Sequence, residues 1–284
     1  MTDIVLGILM CPVFNDELVH NLIGDADIDK IIVLTNQFTN ELCDKLNASG
    51  LRYESIPESD FSQSELNKSI SGYTVLIRTN NLGLHGNPSA LKDMIEAQIG
   101  EMQPYIDVLG VYYCQCGNAD WDVSEWCDSN GYKPTFTYRG NDGKVCYDCV
   151  CVAFGSISGY MAMREKYGSI FYLTPAIAYH LEDFAASGAM GFTLDSISEE
   201  IREKFGIRTD LDIIRWLVKQ GSIEQSLMID TGLVDHADFE KTFLKRSDQL
   251  GLRPIRIEDG LVSLDAVDSI YTKCKMAIND LTMR

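Results

Sequence analysis

Five of the chain's nine cysteines fall within a short span, in "VYYCQCGNADW" (111–121) and "KVCYDCVCVAFGS" (144–156). These carry Cys114 and Cys116, then Cys146, Cys149 and Cys151; a further thiol, Cys11, follows the apolar run "IVLGIL" (4–9) and precedes Pro12. Thiolates are soft ligands that suit zinc or an iron–sulfur cluster, and softness argues against Mg²⁺ and Ca²⁺ as natural occupants. Three of them, Cys11, Cys116 and Cys149, make a plausible ligand set, with Cys146 or His85 as a fourth ligand or an open position for substrate. An open zinc site deprotonates a bound substrate thiol and makes a methyl-accepting nucleophile of it. Asp148 is the candidate catalytic acid that would hydrogen-bond a ligand, and Gly117 and Asn118 are candidate cofactor contacts in the same loop as Cys116.

The alternative for each thiol is a small buried hydrophobe, which is how an unmodified cysteine usually behaves. Cys43, Cys127, Cys151 and Cys274 are read that way. A second chemical reading is thiol redox, because "CYDC" (146–149) has C-x-x-C spacing at an expected helix start.

What brings these positions together is the alternation of strand and helix patterns. Nine β-branched runs read as strands: 4–9, 30–35, 52–56, 73–78, 106–113, 134–138, 169–174, 226–231 and 253–257. Amphipathic stretches such as "NDELVHNLIG" and "SALKDMIEAQIGEM" lie between them, several ending at Gly. This is the pattern of an α/β fold: mostly parallel sheet with helices on both faces. Loops at the C-terminal ends of parallel strands share one edge, so Cys11, His85 and Cys116 meet there if strand order reverses between the first and fourth strands. The apolar run from Val145 to Met163 has the length of one helix. On it Cys146 and Cys149 would share a face, with Cys149 in the first turn, where the helix dipole favours thiolate. We divide the chain into a cysteine-rich α/β half (1–175), a helical bridge (176–222) and a C-terminal β-α-β portion (223–284), with the two α/β halves joined by the helical segment.

Forty-two acids against 24 bases give a net charge of −18. Such a surface repels nucleic acid and anionic membranes. No signal peptide or spanning segment is legible, so a cytoplasmic location is expected, where thiols stay reduced. No G-x-G-x-x-G, Walker, G-x-S-x-G or H-E-x-x-H motif is present.

The collinear series "ILMCPVFNDEL", "LGLHGNPSALKDMI", "VYYCQCGN", "YDCVCVAFGSISGY", "FYLTPA" and "DTGLVDHADFE" resembles a domain-of-unknown-function family, number sixteen thirty-eight, of methanogens and other anaerobes. The family's features fall on Cys11, His85 with Pro88, Cys116 with Gly117, Asp148 with Cys149, Gly155 with Ser156 and Tyr160, Thr174 with Pro175, and Thr231 with Gly232. Tyr147 stands where the family usually has His, and the family's C-terminal Pro-Gly strand is absent. The resemblance implies a setting in corrinoid-dependent methyl transfer. The partner would then be a small-molecule thiol or methyl donor, or a corrinoid methyltransferase served by a non-enzymatic cofactor carrier. The chain lacks the D-x-H-x-x-G loop that supplies a lower cobalt ligand, so a corrinoid has no ligand motif here.

Overall fold

The chain's β-branched runs pair into two wholly parallel sheets in a computed structural model that describes residues 3–61, 66, 68–82, 86–116, 118, 121–188 and 192–283. His85, the candidate fourth ligand, and Gly117, a candidate cofactor contact, lie outside the described residues. The first sheet contains β1 (Ile4–Met10), β2 (Lys30–Thr35), β3 (Glu54–Pro57), β4 (Tyr73–Thr79), β5 (Val108–Tyr112) and β6 (Thr135–Thr137). Their spatial order is β3-β2-β4-β1-β5-β6. The second contains β7 (Phe171–Leu173), β8 (Gln225–Met228) and β9 (Arg253–Arg256), in that order. All nine strand expectations correspond to strands, and the α/β class holds.

Strands β1 and β4 are buried along their whole length and pair in register from Ile4–Tyr73 to Met10–Thr79. Continuous apolar runs are what a parallel sheet covered on both faces requires. The chain works outward from β1 to β2 and β3, returns to β4, then moves the other way to β5 and β6. The reversal therefore lies between β1 and β4, as the site argument needed, and the loops after β1, β4 and β5 share the edge where ligands bind in such sheets.

The chain passes from the first sheet to the second at Gly168, after the helix Ile157–Tyr167, and returns beyond β9. The returning helix, Asp265–Thr282, packs on β5, β6, β1 and the helix Asn15–Ile23. Lys275 Nζ lies 2.9 Å from Asp25, and His20 Nε2 lies 2.9 Å from Asp268. At the crossings themselves, the Tyr167 hydroxyl accepts from the Glu258 backbone N–H at 3.0 Å, and Lys166 pairs with Glu258. The interval 175–220 carries the helices Pro175–Tyr179, Leu181–Ala186, Glu199–Phe205 and Asp210–Gln220. Among the described residues no helix is long and apolar enough to cross a membrane.

One local expectation fails. The run from Val145 to Met163 is not one helix: a single turn spans Cys149–Val152, and a separate helix starts at Ile157. Between them Gly155 adopts φ +66°, which ends the first segment, and the Ser156 side chain caps the second by accepting from the Gly159 N–H at 3.1 Å. Apolar content alone did not reveal the break, because Gly155-Ser156 is a stop followed by a cap. A Cβ at Gly155 would lie 2.9 Å from Ser263 Oγ, in a backbone region that disfavours side chains. Gly155→Ala is expected to lower unfolding stability by about 1–3 kcal/mol, read as a lower denaturation midpoint with unchanged slope.

Candidate functional site

Cys11 lies immediately beyond β1, buried, with its N–H donating to the Tyr112 carbonyl at 3.2 Å. Pro12 opens the short 3-10 turn Pro12–Phe14, whose Phe14 N–H returns to the Cys11 carbonyl at 3.1 Å. The loop after β5 carries Cys114 and Cys116. Cys116 has φ +49°, one of two non-glycine residues with positive φ among those described. Such a backbone costs on the order of 1 kcal/mol and persists only where its surroundings impose it. The imposition is visible: the Gln115 N–H donates to the Cys146 carbonyl and the Cys116 N–H to the Tyr147 carbonyl, both at 3.0 Å. The Cys146 N–H in turn donates to the Tyr138 carbonyl at 3.0 Å. These bonds fasten the two cysteine-bearing loops together.

Cys11, Cys116 and Cys149 line one cavity of about 730 Å³. Val13, Phe14, Pro88, Gln115 and residues 147–150 complete its wall on the side of the first sheet. The facing wall is apolar: Ile170–Tyr172, Ile177 and Phe184, with Ile214, Leu217, Val218 and Ile223 from the helical interval and its end. The volume is that of a small-molecule site, and the balance of apolar wall to a few polar groups is typical of one. Burial pushes the Cys149 thiol well up, and Asp148, Cys116 and Cys11 add to the rise. The expected helix-dipole activation of Cys149 is thus corrected: its helix is four residues long, and burial among groups that charge negatively outweighs it. Cys114 is likewise raised by burial and by the hydrogen bond between its side chain and Cys116.

Cys146 precedes the helix rather than sharing a face of it with Cys149. Its side chain hydrogen-bonds Cys151, which raises the Cys146 thiol and lowers that of Cys151. Both are fully buried, and neither lines the cavity. Asp148 lines the cavity, and its carboxylate also has structural duties: it caps the Cys149 turn by accepting from the Cys151 N–H at 2.8 Å, and it accepts from the Tyr160 hydroxyl at 3.3 Å. Asn118 donates from its side chain to the Pro88 carbonyl at 2.7 Å and pins its loop to the helix Pro88–Met102. All nine cysteines are thiols with no disulfide. Among the described residues, no group of three or more His, Cys, Asp and Glu is arranged to hold a single metal ion.

Nothing in the local sequence pattern singles out Glu17. It sits in the first turn of Asn15–Ile23, where an acid is ordinary helix chemistry. Its Oε2 is nevertheless sealed from solvent with no hydrogen-bond partner. Burial pushes its carboxyl up to about 8. A group that binds its proton more tightly folded than unfolded costs stability as pH rises. The stability is whole below the ordinary carboxylate range and falls from there to about pH 8. Glu17→Gln is therefore expected to gain on the parent protein by on the order of a few kcal/mol between roughly pH 5 and pH 8, measured by urea denaturation at each pH.

No curated protein matches the chain. Among solved structures, it is similar to the UDP-GlcNAc 2-epimerase from Neisseria meningitidis bound to UDP-GlcNAc, at 11% identity and a TM-score of 0.23, covering 94% of this chain and 74% of that one. A family model, Protein of unknown function (DUF1638), matches residues 80–267, which include Cys116, Asp148, Cys149 and the whole helical interval. Two thirds of the sequence falls within that match, and the chain belongs to the DUF1638 family.

Proposed function

We propose that the cavity between the two sheets is a small-molecule site whose reactive wall is a soft-metal centre held by Cys11, Cys116 and Cys149. The observation that carries this reading is that three thiols far apart in the sequence line one cavity.

Tetrahedral zinc at about 2.3 Å per sulfur would hold its ligands in tight mutual contact. An iron–sulfur cluster instead spreads cysteine thiolates over several irons, and either centre is chemically suited to a three-thiolate wall. The substrate is a small-molecule thiol or methyl donor, and the setting is cytoplasmic, corrinoid-dependent one-carbon metabolism, as the family resemblance implies. A corrinoid methyltransferase is then a partner system, and this chain either activates the methyl acceptor or carries the centre for that enzyme. The C-x-x-C redox reading loses ground, because Cys146 turns to Cys151 and away from Cys149.

Anaerobically purified protein is expected to carry a stoichiometric soft transition metal, colourless if zinc and with a charge-transfer absorption if an iron–sulfur cluster. Cys116→Ser and Cys149→Ser are each expected to reduce metal content at least about tenfold, whereas Cys146→Ser retains it. Metal-free protein, or equal loss in all three variants, overturns the reading.

A further inference from the structure

Beside the main cavity lies a recess of about 10 Å³, enough for a single non-hydrogen atom. It shares Val13, Phe14 and Cys149 with the cavity, and is otherwise lined by Glu17, Asp16, Thr174 and Thr231 among a few small neighbours. Asp16 is spoken for, at 2.5 Å from Lys45 Nζ, and the Thr174 hydroxyl accepts from the Ile177 N–H at 3.4 Å. Glu17 Oε2 is shut away from solvent with no hydrogen-bond partner. A buried polar oxygen left in that state costs about 1–3 kcal/mol, so native structures rarely keep one without use. Among the described residues no Lys, Arg or His lines the cavity or the recess, so the described lining offers no cation to a phosphorylated or carboxylated ligand.

We propose that Glu17 is the polar anchor of the cavity: the ligand is an apolar-bodied molecule with one hydrogen-bond-donating head, a hydroxyl or a protonated amine, received in the recess by Glu17 Oε2 beside Cys149. The inference rests on the reading of the cavity as a small-molecule site, and it does not depend on which metal, if any, the thiols hold. Glu17 is then a positioning residue. It fixes how far along the thiol wall the ligand's body lies, while the apolar face of Phe171, Ile177 and Val218 supplies the contact area.

Toluene, benzyl alcohol and benzylamine share one ring and differ only in the head, so they serve as probes of the full-length protein by calorimetric titration. Benzyl alcohol and benzylamine are expected to bind about fivefold or more tightly than toluene, the effect of one net hydrogen bond. In Glu17→Leu the three probes should bind within twofold of each other, with toluene unchanged. In Glu17→Gln, which keeps shape and hydrogen bonding but not charge, the alcohol's advantage should survive and the amine's should shrink. That contrast separates a neutral head from a cationic one and checks that the site is still folded. Equal binding of all three to the parent protein overturns the proposal. So does a preference that persists in Glu17→Leu, or no binding by any probe. Metal analysis of the same preparation is independent: an intact probe preference in metal-free protein removes the metal centre and leaves the anchor standing.

Discussion

Two backbone hydrogen bonds, from Gln115 to Cys146 and from Cys116 to Tyr147, hold the site together. They join the loop leaving β5 to a segment thirty residues further on, and they hold Cys116 in a left-handed conformation that it would not choose alone. Without them the β5 loop has no reason to face the Cys149 turn, and the thiol wall of the cavity is lost. Backbone partners suit this task. They fix position without using any side chain, and Gln115, Cys116 and Tyr147 all line the cavity.

The remaining features of the site follow from burial. Burial between the two sheets disfavours ionisation of Cys149 and Cys114, and neighbouring sulfurs add to the rise of each. Such a wall is chemically quiet until something positive or electrophilic enters. Cys146 and Cys151 take another course: buried as deeply, they satisfy one another and leave the cavity to the other three.

Much of this was legible in the sequence, and the reasons differ by element. Strand β1 announced itself through an unbroken apolar run, and β4 and β5 through runs rich in β-branched, aliphatic and aromatic residues; parallel topology then placed Cys11 and Cys116 at one edge. Cys149 reached the cavity as expected, though by a capped single turn rather than a long helix, since Gly155-Ser156 reads as apolar-helix interior until its conformation is seen. Glu17 was illegible. An acid three residues into a helix is commonplace, and only the sheet packed opposite makes its oxygen a buried orphan. The apolar wall from residues 170–223 was equally hidden, because which helix faces closes a cleft depends on how two sheets are juxtaposed, a matter no local pattern encodes.

The chain crosses between the sheets twice, and the crossings touch where Glu258 meets Tyr167 and Lys166. The halves are braced elsewhere too: His180 Nε2 lies 3.0 Å from Glu41, Phe154 bridges to Ser263, and apolar residues of both sheets form one continuous core. A molecule entering the cleft therefore meets two walls tied together at several separated points, and the room it finds is set by the fold as a whole.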